Sequence, residues 1–437
     1  MHEIYPNPLP DGWAEFPLGE LVETKRGCSW AKPQERKAAN GNTVPVIRIP
    51  NVKKSTLDME KTLHLSDVSR EQRESSAVSK GWTLMVASNG NPRRIGDAAF
   101  MDRDREMVFA SFLFALRPKP EQKRITDEYL ASWMQLHPIH EFVSTTSQMT
   151  TGLANFSWSA CRKLPVRFPL EQSAQNSITR FLAAADEHIA RIESHLADAR
   201  IAKQSLLTHV FNWGLEDKRA KQEQFLWGVA PSGWQETTVQ HLVRERIGTG
   251  ISPTSARPEP PGYPTLNVSS IRNGRCDQRK ISYIDLPATT AKHFAVSQDD
   301  FFVLRGNGNR KYIAIGGLMT AKPIEGLVFS DLLIRIRFDR NKVDPNFMRF
   351  LWQSKSFLQR LQSHAITGSG LWKIGQRTLR RTKLALPQEL NQQTQIAEIF
   401  DQHEELLASL RRELRLARSV KQSLLQNLLT GKIRLQD

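Results

Sequence analysis

The sequence predicts an α+β protein: two pseudo-symmetric mixed α/β domains separated by two long antiparallel coiled-coil helices. Three observations lead there. First, ARIAKQSLL (Ala199 to Leu207) returns as ARSVKQSLL (Ala417 to Leu425), with seven of nine positions identical. Second, the same 218-residue offset aligns Asn89-Gly90-Asn91 with Asn307-Gly308-Asn309 and Pro169 with Pro387, while Gly12-Trp13 matches Gly233-Trp234 at an offset of 221. Third, each half closes on a long heptad-spaced apolar seam. Solenoid units run about 20–50 residues, so a repeat of this length means two domains, each large enough for its own core.

The first domain spans residues 1–168. VPVIRIPNV (44–52) and ASFLFAL (110–116) are short β-rich runs, punctuated by turn clusters such as SNGNP (88–92). The second domain, 233–386, repeats the plan with YPTLNVSSI (263–271), FFVLRGNGN (301–309) and LLIRIRF (332–338). A helical stretch follows in each, TDEYLASWMQL (126–136) and DPNFMRFLWQS (344–354). Then comes a polar loop, TTSQMTTGLANFS (145–157) or SHAITGSGLWKIG (363–375). Trp13 and Trp234 anchor the start of each domain core.

Residues 169–213 and 387–430 are the two long helices. Pro169 and Pro387 suit helix entrances, and no Pro or Gly interrupts either helix body. A 3–4 spacing selects Ile178, Leu182, Ile189, Ile192, Leu196 and Leu206 in the first, and Ile396, Phe400, Leu407, Leu410, Leu414 and Leu424 in the second. More than four such heptads form a coiled-coil signal, and each helix should run roughly 60 Å. Burying two seams in one chain is simplest as an antiparallel pair, with the domains at opposite ends about an approximate two-fold axis. Lys203 and Lys421 interrupt both seams at one place, either to fix register or as lysines reaching out to water. Residues 214–232 are a polar connector, and 431–437 a tail.

The totals narrow the function. Of 437 residues 39% are hydrophobic, with 10 Trp and 20 Phe, enough for ordinary cores. The net charge of +16 points first to a nucleic-acid partner, bound by a surface that the fold assembles, since the basic residues are dispersed. Cys28, Cys161 and Cys276 lie far apart, without a C-x-x-C pair; their odd number suits a reducing compartment. With neither a secretory signal pattern nor an apolar run of the ~20 residues that a membrane span needs, the expectation is a cytoplasmic protein without membrane contact.

Catalytic signatures are missing. There is no phosphate-binding G-x-x-x-x-G-K-[ST] loop, no H-E-x-x-H and no deaminase pattern, so neither a catalytic nor a metal residue is expected. Asn91-Pro92 resembles the start of an amino-methyltransferase motif, but Arg93 and Arg94 stand where Pro and an aromatic are needed. What the halves share suits nucleic-acid contact. Asn89, Asn91, Arg93 and Arg94 correspond to Asn307, Asn309, Arg310 and Lys311, with Arg305 just before; Asn can read adenine, and Arg guanine or phosphate. A plain turn with solvated cations is the competing reading. Thr150 and Thr151, and Thr367, Ser369 and Lys373, could position phosphate or be structural. Lys25-Arg26 and Arg244 with Arg246 sit at matching places after the Gly-Trp openings, as phosphate contacts or as solvated charges.

Taken in order, the Gly-Trp opening, the strand-and-turn FFVLRGNGN, the Thr/Gly/Ser loop, the Pro, the Gln-rich helix start, the K-Q-S-L-L end and LLTGK (428–432) resemble the specificity subunit of type I restriction-modification systems. The resemblance covers nearly the whole chain; TTGLANF matches less well than SGLWKI. It implies two target-recognition domains that bind a split double-stranded DNA site. Independently, two unlike domains at the ends of a rigid spacer, docked on one face of DNA, favour centres about one helical turn, ~34 Å, apart. The resemblance also implies a non-catalytic chain without cofactors of its own. Two modification subunits would use S-adenosylmethionine to methylate adenine N6, and up to two restriction subunits would use ATP and Mg. A specificity subunit of another multisubunit DNA methylation or phage-defence system is the alternative.

Overall fold

The computed structural model describes all residues except 1–3, 54, 61, 105, 123, 151, 216–221, 226–227, 253–255, 369 and 436–437. It divides into two units, residues 1–193 with 412–437, and residues 194–411. Each unit therefore contains one domain, the beginning of that domain's long helix and the end of the other's. The helices are Gln172–Trp213 (42 residues) and Leu390–Leu429 (40 residues).

In the first unit the central sheet orders Val22–Arg26, Leu113–Pro118, Thr83–Val86 and Ala98–Phe100, all antiparallel. Every residue of Thr83–Val86 is buried, which is why Leu84, Met85 and Val86 form an unbroken apolar run rather than an alternating one. A five-stranded mixed sheet lies beside it, with Thr43–Ile47 parallel to Met107–Phe109. The second unit has a six-stranded sheet centred on the buried strand Phe301–Leu304, and a four-stranded sheet with Tyr263–Leu266 parallel to Val328–Phe329. In each unit the strand after the Gly-Trp opening pairs antiparallel with the strand that leads into the long helix: Trp13–Pro17 with Pro165–Pro169, and Gln235–Thr238 with Lys383–Leu386. Trp234 is buried and Trp13 packs at the edge of its core.

Three stretches differ from the sequence expectation. A second short helix follows each expected one, His137–Thr145 and Lys355–Ser363. The two polar loops are β-hairpins, Gln148–Thr150 with Leu153–Asn155 and Ile366–Gly368 with Leu371–Lys373; their strands are three residues long, too short for alternation to register. The connector contains the hairpin Gln222–Phe225 with Gly228–Pro231.

The Gln-rich helix starts have a physical role. Gln175 is fully buried; its Nε2 donates to the carbonyls of Arg124 (2.9 Å) and Pro169 (2.8 Å), and its Oε1 accepts from the Thr126 amide (2.8 Å). Gln393, 218 residues on, donates to Pro387 O (2.8 Å) and accepts from the Asp344 amide (2.9 Å). One amide thus ties the helix entrance to the last strand and to the cap of the domain's own helix.

Within each unit the two helix segments run antiparallel. In the first, Ile178 and Leu182 share a core with Leu425, Leu428 and Leu429. In the second, Ile396, Ala397 and Phe400 share one with Leu207, Val210 and Phe211, and the Phe211 and Phe400 rings stack. Each helix packs on its own domain at its start and on the other repeat's domain at its end. Of the twelve seam positions expected from sequence, Ile178, Leu182, Ile192, Leu196, Ile396, Phe400, Leu407 and Leu414 are buried. Ile189, Leu206, Leu410 and Leu424 are half-buried, and near the helix ends Leu207 and Leu425 take the inner place. An α-helix of 3.6 residues per turn drifts about 20° per heptad against a 3.5 repeat, which moves the inward position on by one.

The seam lysines are register clamps. Lys421, 7% exposed, bonds Asp186 Oδ1 (2.6 Å), Gln135 Oε1 (3.0 Å) and Ser55 Oγ (3.3 Å). Lys203 bonds Glu404 Oε1 (2.7 Å) and Gln353 Oε1 (3.0 Å). Lysine, acid and glutamine match across the repeat, and each lysine joins its helix to the other helix and to the domain beside them. The second unit adds Arg349, whose side chain is fully buried, bonded to Asp401 and Glu404 (2.8 Å), and Arg275, which also reaches Glu404 (3.0 Å). The first unit has Ala131, Ala183 and Thr56 at those three places. A groove of about 910 Å³ runs past these positions, lined by Ala131, Ala183, Gln135 and Asp186, and one of about 840 Å³ lies beside Lys203, Gln353 and Glu404 in the second unit.

Two outcomes follow. A double-mutant cycle on Lys203→Met and Glu404→Gln should give a coupling within ~0.5–3 kcal/mol, the range for residues in one network. The cycle on Lys421→Met and Asp186→Asn should give less, because Asp186 is 35% exposed and better screened; denaturant unfolding measures both. Burial alone would raise the Glu404 carboxyl, but Arg349, Lys203 and Arg275 outweigh it and hold it below the usual 4.5. Its contribution is therefore complete above that value and lost as pH falls through the depressed folded value. Glu404→Gln should flatten the stability profile below about pH 4.5, read by thermal melts across an acid series.

Candidate nucleic-acid interface

In each unit the buried central strand ends in the Asn-Gly-Asn turn. Asn89 Oδ1 accepts from the Asn91 amide (2.8 Å), and Asn91 Oδ1 from the Arg93 amide (3.2 Å), which starts the short helix Pro92–Arg94. The second unit repeats this: Asn307 Oδ1 accepts from Asn309 N (2.8 Å), Asn309 Oδ1 from Lys311 N (3.0 Å), and Arg310–Tyr312 is the short helix. The asparagines build the turn, since short polar side chains mimic a backbone turn. This physical reason for their recurrence is separate from any contact with a ligand.

The turn is then extended into a three-stranded sheet by the hairpin. Ser88–Asn89 pairs with Leu153–Asn155, which pairs with Gln148–Thr150; Gly306–Asn307 pairs with Leu371–Lys373, which pairs with Ile366–Gly368. Gly152 (φ +81°) and Gly370 (φ +78°) supply the left-handed residue in each hairpin turn. Gly308 and Gly368 differ: neither has a positive φ, and a Cβ on either would meet nothing within 4 Å. The fold does not require glycine there, so their value lies in open space at the surface.

This sheet gathers Asn307, Asn309, Arg310, Lys311, Thr367 and Lys373 in the second unit, with Arg305 at its base. Lys311, Thr367 and Lys373 are exposed. Arg310 lies over the Trp372 ring (5.0 Å) and donates to Gln362 O (3.2 Å). Arg305 is half-buried and its amide bonds Leu332 O (2.8 Å). In the first unit the sheet gathers Asn89, Asn91, Arg93 and Arg94 beside the strand that holds Thr150. Thr151 and Ser369 lie outside the described residues, as does the Thr150 side chain.

The two arginines of the first turn have different environments. Arg93 is exposed. Arg94 is half-buried, paired with Asp97 (3.1 Å) and donating to Val52 O (2.8 Å). Asp97 is in turn 3.3 Å from His140; burial raises its carboxyl, but His140 and Arg94 prevail and lower it. Lys25 likewise turns inward, donating to Ala77 O (2.8 Å) near the Trp82 ring, and burial with Arg117 lowers its pKa. Arg26 is exposed on the central sheet and Arg244 and Arg246 are exposed in a loop, none of them part of the hairpin sheets. Sequence reasoning passed over the apolar hairpin residues, Met149 (62% exposed) and Ile366 (74% exposed), because apolar residues in a short segment read as core.

This geometry is that of one binding module present twice. A family model described as the type I restriction modification DNA specificity domain matches residues 10–199 and again 231–416. Full-length relatives agree. The EcoKI type I restriction enzyme specificity subunit of Escherichia coli K12 is 23% identical over 412 residues, covering 92% of this chain and 83% of that one. The MjaX specificity subunit of Methanocaldococcus jannaschii, itself described as putative, is 22% identical over 433 residues, covering 98% and 95%. Among solved structures, the S subunit of a type I system from M. genitalium superposes with a TM-score of 0.55 at 13% identity, covering 97% of this chain and 96% of that one. A chain from a structure concerned with complex assembly of the type I system gives 0.60 at 14% identity, covering 98% and 100%. The chain belongs to the type I restriction-modification DNA specificity family. It is a specificity subunit with two recognition domains, the non-catalytic member of such a system, and its DNA-binding role follows from the family. Among the described residues no helix is long and apolar enough to cross a membrane, and no three His, Cys, Asp or Glu side chains converge as a metal site would.

Arg94→Ala should destabilise the first unit by about 1.5–3 kcal/mol, the worth of hydrogen bonds to a charged group. Arg93→Ala should stay within about 0.5 kcal/mol yet weaken DNA binding. Melting curves paired with DNA titrations separate the two; equal behaviour of the variants would refute the assignment.

Proposed function

We propose that this chain binds a bipartite, asymmetric double-stranded DNA site, one half-site per recognition domain, and positions adenine-N6 methyltransferase subunits on it. The observation behind this reading is that two hairpin sheets share one frame and bear different side chains. Gln148, Met149 and Asn155 occupy the places of Ile366, Thr367 and Lys373. Base edges are read by the side chains presented, so unlike tips select unlike half-sites. Asn91, Arg93, Asn309, Lys311 and Lys373 are the polar contacts expected at each tip. Arg26, Arg244 and Arg246 are candidates for phosphate, and so are Thr150, Thr151, Thr367 and Ser369.

Two modification subunits would bind S-adenosylmethionine, and up to two restriction subunits would supply ATP- and Mg-dependent cleavage, in the cytoplasm. The long helices are the proposed seat of the modification subunits. Phe181, Ile201, Leu406, Leu416 and Val420 remain exposed on them, which leaves apolar surface for partner helices. Leu196 and Leu414 are buried, so substitutions there act through the helix pair, whereas Ile201→Glu and Leu416→Glu test docking directly.

Methylome sequencing of a host expressing this chain with its neighbouring methyltransferase, with and without this gene, is the deciding experiment. Methyladenine in a split motif that disappears with the gene is the expected result. Exchange of residues 233–386 for those of another specificity subunit should then change one half-site only. Unaltered methylation in a complex that still assembles would overturn the reading.

A further inference from the structure

We propose that the outer face of the hairpin Ile366–Gly368 with Leu371–Lys373 reads a thymine 5-methyl group in the DNA major groove, with Ile366 and Leu371 as the apolar contact and Lys373 on an adjacent phosphate. This rests on the DNA-recognition reading above. Side chains alternate across a strand, and Ile366 pairs with Lys373 while Gly368 pairs with Leu371. Ile366, Leu371 and Lys373 therefore project from one face, and Thr367, Trp372 and Asn307 from the other. Ile366 is 74% exposed, the highest value of any large apolar side chain among the described residues; Leu371 is 37% exposed.

The fold gains nothing from an isoleucine there. The opposite face already supplies the anchor, with Trp372 against the core and Arg310 across its ring. The glycines that open the turn leave the face unobstructed, and exposed Lys373 sets positive charge on it. A stable protein partner needs ~800 Å² from each side, far more than two aliphatic side chains on three-residue strands provide. A two-stranded ribbon does fit the major groove, about 12 Å wide, where the thymine methyl is the one apolar feature of a base edge and the phosphates are anionic. The first unit supports the same conclusion by contrast. On the identical frame Gln148 and Asn155 replace Ile366 and Lys373, so this position varies in chemistry while the strands beneath it do not.

The test uses the complex assembled with its modification subunits. The half-site read by the second domain is first taken from the methylome and the domain exchange. Each thymine in it is then replaced singly by deoxyuridine, which pairs identically but lacks the methyl. Loss of one buried methyl should weaken binding about fourfold at one position. Ile366→Ala or Leu371→Ala should weaken binding to the thymine duplex and abolish its preference over deoxyuridine. Gln148→Ala should leave that preference intact. Because Ile366 is exposed, its variant should still co-purify with the modification subunits and retain the first half-site. Equal affinity for all deoxyuridine duplexes, a half-site without an A·T pair, or a preference that survives both alanine variants would overturn the proposal. No split motif at all would instead overturn the parent reading.

Discussion

The structure depends on one exchange: each unit's core is closed by a helix segment that the other repeat encodes. Leu425, Leu428 and Leu429 complete the core built from residues 1–193, and Leu207, Val210 and Phe211 complete the one built from 233–411. The exchange also explains why the motif that first reveals the duplication lies at the helix ends. K-Q-S-L-L brings together the two things an exchanged segment needs, leucines to enter a foreign core and a lysine to fix where they enter. A buried ammonium is tolerated only when paired, and the pairing partners lie on the opposite helix and on the domain. A slip of one turn would separate Lys421 from Asp186 and Gln135 together. The clamp therefore acts against wrong registers as well as holding the correct one, the role a polar residue in a helix seam can take.

Divergence between the units follows the same logic. Arg349, Asp401 and Arg275 in one unit stand where Ala131, Ala183 and Thr56 stand in the other, so charge and countercharge differ together. An arginine at the first place without an aspartate at the second would leave a cation buried without its full complement of partners. Ser55 and Gly274, at the matching place beside each clamp, both have positive φ (70° and 73°). Glycine adopts that conformation at no steric cost and serine does not, so the backbone shape is held even where the residue is not the favoured one. The frame is thus kept by geometry, and its chemistry changes only in compensated sets.

Much of this was legible in the sequence, because repetition shows what periodicity cannot. The offset that aligned K-Q-S-L-L also aligned the Asn-Gly-Asn turns, the helix-entrance prolines and the two helices. Periodicity located the seam but placed its ends one residue early, since a spacing rule carries no information about drift. The hairpins were hidden for a different reason. Three-residue strands give too few alternations, and their stability comes from pairing to the turn strand, a contact some sixty residues distant in sequence. The Asn pairs were singled out as possible base readers, and their carbonyl groups serve the turn; which atoms of a polar side chain are engaged is not legible in a sequence. Arg93 and Arg94 make the same point, adjacent in sequence and opposite in environment.

Burial explains how one frame can serve two recognition surfaces. The strands Thr83–Val86 and Phe301–Leu304 are closed on both faces, so a change there disturbs a packed core and costs several kcal/mol in the large-to-small case. The hairpin tips are exposed, and substitutions at such positions usually shift stability by about 0.5 kcal/mol or less. Selection on what the tips contact is then almost free of selection on folding. The turn asparagines stand between these regimes: they must keep their carbonyls for the backbone, and only their outward edges are available to a ligand. A recognition code written on this protein would accordingly be concentrated on the hairpins, with the turns supplying position and the buried strands supplying none of it.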